Sequence, residues 1–164
     1  MRHGTLPYKI LRDLNRRRLQ FFRTAQVGKA FGSSQSVSRA LRKLVEEGKI
    51  EAVTRGVYRI LTGEPPVLAF DRAWSNPGAV FSPEKSIAVT LARPTFQDVA
   101  RLCRAYGVER VRKVLISLSV DGDVPQRLEL EWQHRLNNIQ QGFRDAAARQ
   151  FAHGNPASSR SSFQ

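Results

Sequence analysis

One stretch of the sequence limits the fold more than any other. Ser33 through Gly48 opens on a cap-type serine and carries apolar residues at 37, 41, 44 and 45. It closes on a glycine suited to the left-handed position after a helix. Two short segments follow directly, Ile50 to Val53 and Val57 to Ile60, each alternating apolar and polar residues around Thr54-Arg55-Gly56. A loop of that length ending in glycine is what a hairpin bulge favours. A capped helix that passes at once into a tight hairpin leaves few architectures open.

The preceding residues supply the remaining parts. Leu6 to Phe22 spaces Ile10, Leu11, Leu14, Leu19 and Phe22 as one helix would, with Arg12, Arg16, Arg17 and Arg18 on its other faces. Thr24 reads as the N-cap of a short second helix that carries Val27, Ala30 and Phe31 and stops at Gly32. Helix, helix, turn, helix and hairpin within about sixty residues resembles the winged helix-turn-helix, over roughly residues 6–61.

Further along, Thr62-Gly63-Glu64-Pro65-Pro66 halts both helix and sheet. Residues 62–82 are read as a linker and partly buried connection that includes Trp74 and Asn76-Pro77-Gly78. Ser82-Pro83-Glu84 opens a helix that runs to Arg93-Pro94. Thr95 with Asp98 opens a second, with Phe96, Val99, Leu102 and Cys103 on one face. Val108 to Leu118 forms a third, with Val111, Val114, Leu115 and Leu118 inward. After a turn at Asp121-Gly122-Asp123 comes a long helix, Gln126 to Phe151, with Leu128, Trp132, Leu136, Ile139 and Phe143 recurring at three- and four-residue steps. The expected fold is mainly α with a small β-hairpin: a winged helix-turn-helix in residues 1–61, then a C-terminal α-helical bundle in residues 83–151 for oligomerisation or protein contact. Residues 152–164 read as a disordered tail.

Charge indicates the partner. The chain has 27 Lys+Arg against 14 Asp+Glu, a formal net charge of +13. Residues 1–61 hold 14 of those bases and only 4 of the acids. Basicity concentrated on one small domain sets up a field that attracts polyanions, nucleic acid above all. On a helix-turn-helix the outward, N-terminal side chains of the third helix meet base edges. Here they are Ser34, Gln35, Ser36, Ser38, Arg39, Arg42 and Lys43. Short hydroxyls and Gln permit close approach, Arg39 can take guanine O6 and N7 bidentately, and Arg42 and Lys43 suit phosphates. Arg55 at the hairpin tip can enter a narrow minor groove. Neutralising about 4–5 phosphates would give a log affinity against log salt slope of about −4. The competing reading is a winged helix used as a protein-interaction adaptor.

No active site is legible. His3, His134 and His153 are scattered, one cysteine makes no Cys/His metal cluster, and no Gly-rich phosphate loop occurs. Asp121-Gly122-Asp123 is explained by a turn. Cys103 on an apolar stripe reads as a buried, inert thiol, and Trp132 and Phe143 read as core. The sequence predicts no enzyme, cofactor or metal. No apolar run approaches the roughly 20 residues of a membrane span, and no secretory leader is visible. The lone cysteine leads to an expectation of a reducing, cytoplasmic setting.

The string from Val37 to Ile60, with Leu41-x-x-Leu44-x-x-x-Gly48-x-Ile50 and Arg55-Gly56-Val57-Tyr58, resembles the N-terminal winged helix of AbiEi-like antitoxins of bacterial type IV toxin–antitoxin systems. Arg93 to Leu102 and Tyr106 to Arg112 are similar to helical extensions of antitoxin-type proteins. The resemblance implies a repressor of its own promoter that binds repeats in double-stranded DNA, associated with the nucleoid when bound. It also implies a cognate nucleotidyltransferase-like toxin, counteracted functionally or by direct contact. A homodimer on two half-sites would reach specificity economically. The alternative is an interaction adaptor, or a general transcriptional regulator without antitoxin activity.

Overall fold

The structure, a computed structural model, describes residues 4–69, 79 and 81–153. Trp74, Asn76-Pro77-Gly78 and residues 154–164 of the expected 152–164 tail lie outside the described residues, whereas Ala152 and His153 continue the last helix. The elements run α1 (Leu6–Arg16), β1 (Phe21–Arg23), α2 (Thr24–Phe31), α3 (Ser34–Glu46), β2 (Ile50–Thr54), β3 (Val57–Ile60), α4 (Pro83–Ala92), α5 (Phe96–Tyr106), α6 (Val108–Val120) and α7 (Gln126–His153). The architecture is mainly helical with a three-stranded antiparallel sheet, ordered β1-β3-β2. It fits a winged helix followed by a helical bundle.

The first helix is shorter than its periodicity suggests. It ends at Arg16, Arg18 takes a left-handed φ of 52°, and Phe21–Arg23 forms a strand paired with β3 in place of a last helical turn. Strand geometry turns successive side chains to opposite faces. Phe22 thereby enters the core of α1, α2 and α3, while Phe21 enters a separate cluster on the other side of the sheet. A helix could not divide two adjacent aromatics between two cores in this way.

Two other local expectations are corrected. Thr24 is not the N-cap of α2, a position held by Arg23. Thr24 instead anchors the hairpin, donating from its backbone N to the Gly56 carbonyl at 3.0 Å and from Oγ1 to the same oxygen at 3.3 Å. The hairpin turn is Arg55-Gly56 alone, with Gly56 at φ 73° and the register irregular between Ala52 and Thr54. The bulge therefore sits within β2.

The bundle helices match their sequence signals. Ser82 Oγ accepts from the Lys85 amide with Pro83 in the first turn, and Thr95 Oγ1 accepts from the Asp98 amide. Phe96 differs from expectation by being exposed. Trp132 and Leu136 from α7 close a core with Ile87, Leu91, Leu102, Val111 and Leu115, and Phe143 packs half-buried against it. Asp121-Gly122-Asp123 forms the turn, with Gly122 at φ 83°.

The sheet lies between the N-terminal core and a smaller cluster that it forms with α7. One face, with Phe22, Ile50, Tyr58 and Ile60, packs on the helices of the N-terminal core. The other carries Phe21, Val53 and Val57, against which α7 lays Phe143, Ala146, Ala147 and Phe151. Gln150 Nε2 donates to the Phe21 carbonyl at 2.9 Å, fixing α7 across the strands.

Candidate nucleic-acid interface

The α3 sequence divides itself into two faces. Val37, Ala40, Leu41 and Leu44 recur at three- and four-residue steps, so a single stripe is buried against α1, α2 and β2. Ser34, Gln35, Ser36, Ser38, Arg39, Arg42 and Lys43 are consequently all exposed. Ser33 starts the helix, its Oγ accepting from the Ser36 amide at 3.3 Å. It also donates to Ser36 Oγ at 3.0 Å, so the Ser36 hydroxyl is engaged in the cap. The first turn of α3 has no acidic residue, which leaves the positive end of the helix dipole uncompensated.

The basic groups on this face are equally uncompensated. Among the described residues, Arg39, Arg42, Lys43 and Arg55 form no ion pair. The Arg16-Arg17-Arg18 run behaves differently: Asp13 pairs with Arg16 at 3.1 Å and with Arg17 at 2.8 Å. Two of those three charges are thus partly neutralised within the protein. Glu46 and Glu47 are exposed at the far end of α3. They line a groove of about 620 Å³ against α4 and α6, together with Glu84, Glu109, Arg110 and Lys113. Glu46 and Glu47 are therefore set at the opposite end of α3 from Ser34 and Gln35.

Arg55 is exposed on the two-residue turn between β2 and β3. The two bonds from Thr24 to Gly56 tie that turn to the start of α2, so the hairpin tip is fixed to the helix that precedes α3. The eight side chains singled out from the sequence all lie at the surface, seven on α3 and one on the hairpin.

Glu51 and Arg59 were not recognisable as special from their alternating strands, where both read as outward polar positions. Arg59 is only 1% exposed. It donates from Nη1 to the Arg104 carbonyl at 3.2 Å and from Nη2 to the Cys103 carbonyl, and its guanidinium lies 3.8 Å from the Phe143 ring centroid. Burial pulls its pKa below the ordinary arginine value, and Glu51 opposes that shift. The available signal was an opposite-charge pair at facing positions of the hairpin, a pattern that stabilises sheets.

Cys103 is buried beneath this pair, and burial pushes its thiol up to about 12. Among the described residues no three His, Cys, Asp or Glu side chains group as metal ligands, and no helix is long and apolar enough to cross a membrane.

Comparison with known proteins agrees with the N-terminal geometry. Residues 9–61 match the family model described as "Transcriptional regulator, AbiEi antitoxin". The match takes in most of α1, all of β1, α2, α3, β2 and β3, and none of the bundle. No curated protein and no solved structure matches the chain.

Proposed function

We propose, from a winged helix that matches AbiEi antitoxin transcriptional regulators over residues 9–61, that this protein is a sequence-specific DNA-binding autorepressor. The observation that carries the reading is the exposed face of α3. Gln35, Ser38, Arg39, Arg42 and Lys43 project from a helix whose other face is locked into the core, with no carboxylate pairing their charges among the described residues. A rigid helix with unpaired donors at its N-terminal half suits the major groove, where Gln and Arg can each form bidentate contacts to base edges. Arg55 on the anchored hairpin would contact the adjacent minor groove or its phosphates.

In this reading residues 1–61 recognise the operator, and residues 83–151 serve oligomerisation or contact with another protein. The protein has no catalytic role of its own. The antitoxin activity follows from the family resemblance: the chain would repress its own promoter and counteract a nucleotidyltransferase-like toxin encoded beside it. A mobility-shift titration on the upstream intergenic DNA tests the first part. A specific shift that Arg39→Ala with Arg42→Ala abolishes is expected, and absence of any specific shift overturns the repressor reading. Co-expression with the adjacent gene tests the second, with restored growth as the expected result and unrelieved toxicity as the contrary one.

A further inference from the structure

Three arginines from three separate elements surround the tip of the hairpin. Arg55 is in the turn itself. Arg23, the last residue of β1, is the register partner of Val57, the first residue of β3. Arg144, on α7, donates from Nε to the Val53 carbonyl at 3.3 Å, two residues before Arg55. All three are exposed. None forms an ion pair with a carboxylate among the described residues. Asp145, the acid next to Arg144 in the chain, instead accepts from Gln141 Nε2 at 2.9 Å.

Each of the two flanking arginines is tethered. The Arg23 guanidinium lies 4.4 Å from the Phe151 ring centroid, and Arg144 also donates from Nη1 to Gln141 Oε1 at 3.4 Å. Tethering fixes where these charges point and shortens their reach, which suits phosphate oxygens on a passing backbone rather than base edges inside a groove.

We infer that Arg23 and Arg144 join Arg55 in one phosphate-binding cluster around the hairpin, so that α7 brings the C-terminal bundle into the DNA-binding surface. This rests on the DNA-binding function proposed above and extends it to the part of the chain that the family match does not reach. The cluster contributes affinity without sequence preference, because phosphates carry no base identity. It also gives the bundle a way to influence repression: any partner that covers the last turns of α7 competes with DNA for Arg144.

Fluorescence-anisotropy titrations of the full chain test this, using an operator duplex and a scrambled duplex over a salt series. Arg144→Gln and Arg23→Gln are each expected to weaken both duplexes by the same factor, several-fold, and to reduce the magnitude of the salt slope by about 0.9. Arg144→Lys keeps the charge and loses the Nε bond to Val53, so it should retain the slope. Arg127→Gln removes the same charge about 25 Å away along α7 and should change nothing. An unchanged slope in Arg144→Gln, with operator binding still abolished by Arg39→Ala plus Arg42→Ala, overturns the cluster and leaves the repressor standing. A loss in Arg144→Lys equal to that in Arg144→Gln makes Arg144 a brace for the hairpin and overturns its phosphate role. Failure of the unmodified chain to bind either duplex overturns both inferences.

Discussion

Glu51 and Arg59 face each other across β2 and β3 and join at 2.7 Å, and each closes the end of a different bundle helix. Glu51 Oε1 accepts from the amides of Val108 and Glu109 at 2.7 and 3.2 Å, capping the N-terminus of α6. Arg59 takes the Cys103 and Arg104 carbonyls near the C-terminus of α5. An acid at a helix start and a base at a helix end each match the local dipole. One ion pair therefore links the hairpin to two helices of the bundle.

Breaking that pair should destabilise the whole chain. Arg59→Ala leaves Glu51 facing α6 without its partner, and losing one member of a buried pair costs about 3–5 kcal/mol. Denaturant unfolding is expected to show this loss. It should also show one cooperative transition for the unmodified chain, since the sheet packs on the N-terminal core with one face and on α7 with the other. Two separated transitions in the unmodified chain would contradict the shared interface.

Gly107 sits at the junction of α5 and α6 with φ 97°. A Cβ there would lie 3.3 Å from both Glu51 Oε1 and Leu61 Cδ1. Gly107→Ala therefore combines a backbone conformation that L residues rarely adopt with pressure on the Glu51 cap. A cost of about 1–3 kcal/mol is expected in thermal or chemical unfolding. A neutral result would show that the α5–α6 corner can rearrange.

Cys103 should give alkaline pH a measurable effect on stability. Its thiol rises from an ordinary value of 9.0 to about 12 in the folded chain because burial disfavours the thiolate. The folded state thus holds a proton that the unfolded state gives up first. This contribution is intact below pH 9 and is lost progressively as pH climbs from there toward about 12, at a slope approaching about 1.4 kcal/mol per pH unit. Comparing unfolding free energies of Cys103→Ala and the unmodified chain across that window isolates the effect, since every other group is common to both. The same burial predicts that thiol reagents label Cys103 only as fast as the protein opens.

Ser33 offers a test of how far α3 geometry controls recognition. Ser33→Ala removes the acceptor for the Ser36 amide and should cost about 1 kcal/mol. Operator affinity should fall with it, because fraying of the first turn moves Ser34 and Gln35. A variant that loses stability but keeps full affinity would place recognition further along the helix, at Ser38, Arg39 and Arg42.

The sequence by itself determined α3, its two faces and the hairpin that follows. Caps, glycines and apolar spacing are local signals, and Ser33, Val37, Leu41, Leu44 and Gly56 carry them within a few residues of where they act. The bundle helices were legible for the same reason, from Ser82-Pro83, Thr95 and the Trp132–Leu136 stripe. Tertiary structure alone decided what depends on residues distant in the chain. Phe21–Arg23 became a strand because β3, some 36 residues later, offered it a ladder and two cores to divide its phenylalanines. Glu51 and Arg59 became an interface because α5, α6 and α7 folded back over the sheet face that also carries Phe21, Val53 and Val57. Arg144 reached the hairpin by the same folding back, 91 residues beyond the Val53 carbonyl it meets. Alternation in a strand records which residues share a face, and only the packing of the whole chain determines what covers it.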